Sequence, residues 1–126
     1  MILAIKTDQP EAEIDLLQGS TSQRQKKWLA GRELSKQLLP EIEKLVGGWE
    51  KVEGIVIFAG PGSFTGLRIG HTIANALAYG LNIPMVSSGG ENWIENGLKK
   101  LASAKPGQTV VPRYGAPAKI TLPKAK

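Results

Sequence analysis

The sequence predicts an α/β fold in which helices pack on a mixed sheet of about five strands. The first thirty residues read as strands, and the later segments alternate between helical periodicity and short apolar runs. A hydrophobic fraction of 41% and a charged fraction of 21% are ordinary for a folded protein, and 126 residues suffice for one core. We therefore expect a folded unit over residues 1–104 and a basic tail containing Pro and Gly over residues 105–126.

Five segments have the pattern of strands. In chain order they are "MILAI", "EAEIDLL", "RQKKWLA", "GIVIFA" and "IPMVSS". Turn residues such as Pro10 separate the first two, and "RQKKWLA" completes a meander if it is a strand. The continuous apolar run "GIVIFA" is typical of a strand buried on both faces.

Three segments have helical periodicity. The first begins at Arg32 and continues to "VGG", where glycine is expected to end a helix; Pro40 inside it predicts a kink or two short helices. The second runs from about Thr65 to Tyr79, with Gly80 as its C-cap. The third is "ENWIENGLKKLAS". The tail has no helical period, so we expect an extended segment lying on the body.

The net charge of +5 is concentrated at one end. Residues 1–95 hold nine Lys or Arg and eleven Asp or Glu, whereas residues 96–126 hold seven Lys or Arg and no acid. A solvated end is one interpretation of this tail, and contact with RNA or an acidic partner surface is the other. The absence of cysteine excludes disulfides and thiolate chemistry. No apolar run approaches the roughly 20 residues of a membrane span, so we expect a cytoplasmic protein.

The stretch "GIVIFAGPGSFTGLRIG" places a glycine loop between a strand and a helix, an arrangement that suits an anion. The loop residues that could touch a nucleotide are Gly60, Pro61, Gly62, Ser63, Thr65 and Gly66. Neither the P-loop pattern nor the dinucleotide fingerprint fits, because Leu67 follows Gly66 where the P-loop pattern has a Lys, and Thr65 stands at the third glycine of the fingerprint. A tight structural turn and a nucleotide site both remain open.

The helix after the loop carries small residues at a spacing of four. Gly66, Gly70, Ala74 and Ala78 form this stripe. A stripe with little side-chain bulk lets another helix approach closely. The approaching helix is either "LSKQLLPEI" of the same chain or one from a partner.

The stretches "FAGPGSFTGLRIG" and "ANALAYGLNIPMV" together resemble the signature of the TsaB (YeaZ) family, bacterial proteins related to the actin-like ATPases. The resemblance extends to "ILAIKT", to "LSKQLLPEIEKL" and to "VPRYGAPAKITLPK". It implies a single actin-like (ribonuclease H-like) lobe with an extended C-terminal tail.

The resemblance also implies a function. It indicates an accessory subunit that pairs with a TsaD-like transferase, with a TsaE-like ATPase joining the complex, to form threonylcarbamoyladenosine next to the anticodon of tRNAs reading codons that begin with A. Pairing would use two helices, here about residues 32–46 and 66–80, and ATP would be used by the partner subunits. The partner-interface residues expected on this basis are Leu34, Leu38, Gly66, Arg68, Gly70, His71, Ala74 and Ala78.

Three departures from the family pattern argue against independent catalysis. The chain is about half the usual length, so we expect it to lack the second lobe that closes a cleft around ATP. Lys6 stands where relatives carry an acid near a nucleotide-bound metal. Leu34 and Ser35 stand where metal-binding relatives carry histidines. We therefore expect no metal and no cofactor in this chain alone.

The remaining polar residues predict no catalytic set. His71 is expected on the polar face of its helix, without a carboxylate neighbour to make it a general base. Ser63 and Thr65 are expected to cap the helix, since no adjacent base would activate them. Arg68 is expected to pair with a carboxylate on a partner or on the tail.

Two other classes of function remain as alternatives. One is a minimal nucleotide-binding enzyme that uses residues 60–66. The other is a self-associating structural protein, in which the same two helices form a homodimer. Direct contact of residues 115–126 with tRNA is a further hypothesis.

Overall fold

The structure is a computed structural model and describes residues 1–113. Within these residues it contains one sheet, three α-helices and two single 3-10 turns, at Gly31–Glu33 and Trp49–Lys51. The strands and helices are β1 (Ile2–Lys6), β2 (Glu11–Gln18), β3 (Thr21–Leu29), α1 (Leu34–Val46), β4 (Gly54–Phe58), α2 (Phe64–Leu81), β5 (Met85–Ser88) and α3 (Trp93–Leu101).

The sheet is mixed, as predicted. Its strand order is β3-β2-β1-β4-β5, with β1, β2 and β3 antiparallel and with β4 parallel to both β1 and β5. β4 is buried along its whole length because helices cover both of its faces. The parallel strands end at one edge of the sheet, so the chain segments that follow β1, β4 and β5 meet there.

Helices α1 and α2 pack on one face of the sheet and α3 on the other. A hydrophobic core lies on each face of the sheet, and the side chains of β1 alternate between them. Leu3 and Ile5 face α1 and α2, whereas Ala4 faces α3. α3 contacts β4 and β5. Trp93, at its start, meets Phe58 edge to face with 5.7 Å between the ring centroids.

The helix boundaries differ in two places from those predicted. α1 is one helix that passes through Pro40, so the prediction of two short helices is wrong. Pro40 lies on the exposed face while Leu38 and Ile42 stay buried, and burial of the apolar face outweighs the one backbone hydrogen bond that Pro40 cannot donate. α2 continues through Gly80 and ends at Leu81, where Asn82 adopts the left-handed conformation of the C-cap.

The beginning of the tail is an extended segment on the body, as predicted. The Val110 N–H donates to Asn75 Oδ1 (3.0 Å), and the Arg113 N–H donates to the Ala59 carbonyl (2.7 Å). The rest of the predicted tail, and with it the proposed tRNA contact of residues 115–126, lies outside the described residues. No helix in the described part of the chain is both long and apolar enough to cross a membrane.

Candidate functional site

The glycine loop after β4 is a tight turn joined to the end of β1. The Ser63 N–H donates to the Asp8 carbonyl (2.8 Å), and a Cβ on Gly62 would collide with the Asp8 side chain. The Gly60–Pro61 peptide bond is cis, and Gly60 has a φ of 104°, which favours glycine. The loop is therefore fixed by its neighbours as well as by its own sequence.

Ser63 caps α2, as the sequence predicts. Its Oγ accepts a hydrogen bond from the Gly66 N–H (3.2 Å), which satisfies one of the free donors at the start of the helix. Thr65 is exposed and makes no capping bond of this kind. The predicted capping role is therefore confirmed for Ser63 alone.

The loop offers an anion fewer donors than its glycine content suggests. Pro61 has no N–H, the Ser63 N–H binds Asp8, and the Gly66 N–H binds Ser63. These three positions would supply donors in a phosphate cradle. The geometry favours the structural turn among the alternatives that the sequence leaves open.

The positive charge of Lys6, at the end of β1, is balanced by Asp8. Its ammonium lies 2.7 Å from Asp8 Oδ1 and 4.6 Å from the centre of the Phe58 ring. The ion pair is mostly buried, and a carboxylate that holds an ammonium at this distance has one oxygen occupied. Within residues 1–113 no three His, Asp or Glu side chains lie together as a metal site would require.

The stripe of small residues on α2 faces the sheet in this structure, and its predicted presentation to a partner stays a prediction. A Cβ on Gly66 would collide with the Thr7 carbonyl, and a Cβ on Gly70 would collide with Thr7 Oγ1. Thr7 Oγ1 also donates to the Gly66 carbonyl (2.8 Å). The stripe therefore lets α2 lie close against the end of β1 in the same chain.

Most of the other predicted interface residues are buried for the same reason. Of the eight, only Arg68 is exposed and Gly66 is half-buried. The six that lie in the interior are Leu34, Leu38, Gly70, His71, Ala74 and Ala78. Pairing through α1 and α2, and the part of these six residues in it, stay predictions.

His71 is not on the polar face of α2. Its side chain is buried, with the residue 2% exposed, and Nδ1 lies 2.8 Å from the Leu67 carbonyl. Burial lowers the pKa of His71, and the bond to the Leu67 carbonyl opposes this in part. Nε2 is buried and has no hydrogen-bond partner among residues 1–113. The lowered pKa favours the neutral ring, and the carbonyl acceptor assigns the proton to Nδ1.

The outward face of α1 and α2 carries a shallow groove that the sequence analysis did not identify. Five residues line it: Ser35, Arg68, Ile69, Thr72 and Ile73. Beyond it, α2 exposes a second row of small residues at a spacing of four, consisting of Thr72, Ala76 and Gly80. This outer row is visible in the sequence, but nothing local distinguishes it from the buried one.

Large apolar side chains are also exposed on these two helices. Leu39 of α1 is 43% exposed, Phe64 at the start of α2 is 56% exposed, and Tyr79 near its end is 87% exposed. The Arg68 guanidinium lies 5.5 Å from the centre of the Phe64 ring. We call the surface formed by Ser35, Leu39, Arg68, Thr72 and Ala76 the outer helix face. It combines exposed apolar area at Leu39 with little side-chain bulk at Thr72 and Ala76, as a helix-pairing surface does.

Comparison with known proteins gives the fold and the family. The family model described as "TsaD: tRNA N6-adenosine threonylcarbamoyltransferase" matches residues 26–88, which is half of the chain. The solved structure of YeaZ from Pseudomonas aeruginosa superposes with a TM-score of 0.64 at 26% identity, over 70% of this chain and 43% of that one. A second Pseudomonas aeruginosa structure, described as similar to YeaZ, gives a TM-score of 0.65 at 26% identity, over 70% and 42%. The fold is an α/β lobe of the actin-like (ribonuclease H-like) type.

Two curated relatives are tRNA threonylcarbamoyladenosine biosynthesis proteins named TsaB. The protein from Haemophilus influenzae is 39% identical over 62 residues, which are 46% of this chain and 26% of the relative. The protein from Bacillus subtilis is 34% identical over 88 residues, which are 67% of this chain and 38% of the relative. The matches thus span about a quarter to two fifths of the length of these relatives. The chain belongs to the family that the TsaD model describes, and within that family to the TsaB (YeaZ) proteins.

Proposed function

We propose that this chain is a non-catalytic accessory subunit in the formation of threonylcarbamoyladenosine next to the anticodon of tRNAs that read codons beginning with A. It acts by pairing with a TsaD-like transferase, and a TsaE-like ATPase joins the complex. The names of the curated relatives and the family model support the pathway. The observation that carries the pairing is the outer helix face, where α1 and α2 expose apolar side chains and Ile69 and Ile73 line the groove between them.

The shape of this surface supports a helical partner. The outer row of α2 has little side-chain bulk at Thr72, Ala76 and Gly80, so a helix axis can approach it closely. Half-buried Ile69 and Ile73 form the floor of the groove and offer apolar area. Two helices from a partner, laid on this face, would make a four-helix arrangement across the interface.

The state of the polar residues supports the non-catalytic role. Lys6 and Asp8 are engaged with each other, and His71 is buried beneath the surface of α2. A general base must reach the proton that it removes, which a 2% exposed ring inside the body does not do. ATP is then bound and used by the partner subunits.

Copurification with the TsaD-like protein of the same genome tests the proposal. Ala76→Arg places a long charged side chain on the outer helix face without touching the core, because Ala76 is exposed. We expect it to weaken binding to the transferase by about tenfold or more, since the centre of an interface tolerates such a change poorly. Asn96→Arg on the exposed side of α3 adds the same charge elsewhere and serves as the control.

Melting temperatures of both variants show that each is folded. If folded Ala76→Arg binds the transferase as tightly as the unaltered chain, the outer helix face is not the pairing surface. Failure of the unaltered chain to bind any TsaD-like protein contradicts the proposal as a whole.

The same surface can pair with a second copy of the chain when the transferase is absent, because 43% exposed Leu39 is apolar area that either partner would cover. Light scattering over a range of concentrations measures this. We expect Ala76→Arg to shift the equilibrium toward the monomer and the transferase to replace the second copy. A homodimer that the transferase does not dissociate favours the self-associating structural protein instead.

A further inference from the structure

The extended segment at the start of the tail, residues 109–113, is held at two separate points; we call it the strap. At the first, the Asn75 side chain binds both main-chain groups of Val110: Nδ2 donates to the carbonyl (2.7 Å) and Oδ1 accepts from the N–H (3.0 Å). At the second, the Arg113 N–H donates to the Ala59 carbonyl (2.7 Å). An amide side chain that binds the N–H and the carbonyl of one residue makes the two hydrogen bonds that a neighbouring strand would otherwise make.

The surface beneath the strap is shaped to receive a backbone. A Cβ on Gly60 would collide with the Arg113 carbonyl, so this close approach requires glycine. Val110 packs its side chain against the core between the sheet and helices α1 and α2. Leu67, His71 and Asn75 are spaced four apart along one flank of α2. Asn75, at one end of this flank, holds Val110, and Leu67, at the other end, lies next to Gly60, where Arg113 also lies.

The segment that leads to the strap is weakly attached by comparison. Residues 102–108 connect α3 to the strap, and all but half-buried Ala104 are exposed. Segments with few buried contacts open at low free energy, independently of the core. The strap therefore has defined contacts at its ends and a loose connection to the body.

We propose that the flank of α2 from Leu67 to Asn75, together with Ala59 and Gly60, is a binding site for an extended peptide, which the chain fills with its own residues 109–113. Asn75 recognises the main chain, and the core takes an apolar side chain at position 110. Three residues later the peptide backbone crosses Gly60. The strap binds and leaves as a unit, and its bound state holds Arg113 beside the loop at residues 60–62.

Hydrogen exchange of individual amides in the intact chain tests this without any transferase, so the result is independent of the pairing proposed above. Asn75→Ala removes both bonds to Val110 and is compatible with a helix. We expect exchange at Val110 and Arg113 to accelerate together by about tenfold or more, although the Ala59 carbonyl that holds Arg113 is unaltered. Asn96→Ala on exposed α3 is the matched control and leaves both rates unchanged.

Unchanged exchange of Ile57 in β4 shows that the variant remains folded. The proposal is overturned if Val110 and Arg113 already exchange at the unprotected rate in the unaltered chain. It is overturned equally if Asn75→Ala accelerates Val110 alone, because the strap is then not a unit.

Cleavage of the full chain at a protease site inserted at residues 105–107 gives a second test. We expect the C-terminal fragment to co-elute with the body through gel filtration and to separate from it in Asn75→Ala. An added peptide of residues 108–126 should displace the bound fragment, and the same peptide carrying Val110→Asp should not. If the fragment separates from the body of the chain that carries Asn75, the proposed peptide site is contradicted.

Discussion

Thr7 Oγ1 occupies the space in which a Cβ of residue 70 would have to lie. The same hydroxyl donates to the Gly66 carbonyl (2.8 Å), so the end of β1 and the first two turns of α2 are in direct contact. Gly70 is thus required for packing within the chain. A substitution at this position changes folding, and it cannot by itself report on partner binding.

Gly70→Ala is expected to lower the free energy of unfolding by about 1–3 kcal/mol, because the added methyl group overpacks the contact with Thr7. Gly80→Ala in the same helix is the control, since a Cβ there meets nothing within 4 Å. It should raise stability by up to about 1 kcal/mol through helix propensity. Urea denaturation measures both, and equal effects of the two changes would contradict the packing role.

Ser63→Ala is expected to cost about 1 kcal/mol of stability, because it removes the acceptor for the Gly66 N–H at the start of α2. Ser35→Ala, at an exposed position in the first turn of α1 that makes no N-cap, supplies the comparison and should be close to neutral. The same denaturation experiment distinguishes them. A Ser63→Ala variant as stable as the unaltered chain would show that the cap contributes nothing.

The stability of the chain should depend on pH through His71, its only histidine. Burial lowers the pKa of His71 in the folded state, so between that pKa and the ordinary value of about 6.5 the unfolded chain binds more protons. The contribution of neutral His71 is therefore complete above about pH 7 and is lost as the pH falls through 6.5 toward the lowered pKa. Unfolding free energies at pH 5 to 8 should show this decline.

His71→Leu supplies the control for that titration. Leucine cannot gain a proton and replaces the buried Nε2, which has no partner among residues 1–113. Its free energy of unfolding should vary less between pH 5 and 7 than that of the unaltered chain. If the free energy of unfolding depends on pH equally in both proteins, the pH dependence belongs to groups other than His71.

Calorimetry with ATP and Mg²⁺ on the isolated chain should give no saturable heat. The Lys6 ammonium is balanced by Asp8, and the N–H groups of Ser63 and Gly66 are engaged within the loop. An anion would have to replace these bonds as well as lose its hydration. Saturable binding that Lys6→Ala weakens would support the minimal nucleotide-binding enzyme instead.

Local pattern predicts the strands, the three helices and the Ser63 cap because each depends on neighbours in sequence. The orientation of α2 could not be read this way. Both its inner row, with Gly70, and its outer row, with Ala76, consist of small residues, and burial of the inner row is decided by Thr7, far away in the chain. His71 was misplaced for the same reason, since one polar residue at the border of a stripe does not show which side is covered.

The role of Asn75 could not be predicted from local sequence either, because its partner Val110 lies 35 residues away. One local signal was present: asparagine is a poor helix former, so its place between small apolar residues in mid-helix indicates a role for its side chain. Leu39 and Tyr79 likewise follow the general helical pattern, and only the folded structure shows that they stay exposed on α1 and α2.

The contact between Thr7 and the glycines of α2 also determines the height of the helix above the sheet. A larger residue at position 66 or 70 would lift α2 outward, and the groove lined by Ile69 and Ile73 would change depth relative to α1. The contour that the proposed partner would meet is thus set from below, by Thr7 and the glycines beneath it. If the proposed pairing is correct, variants of the two glycines should alter it by displacing a surface whose own residues are unchanged.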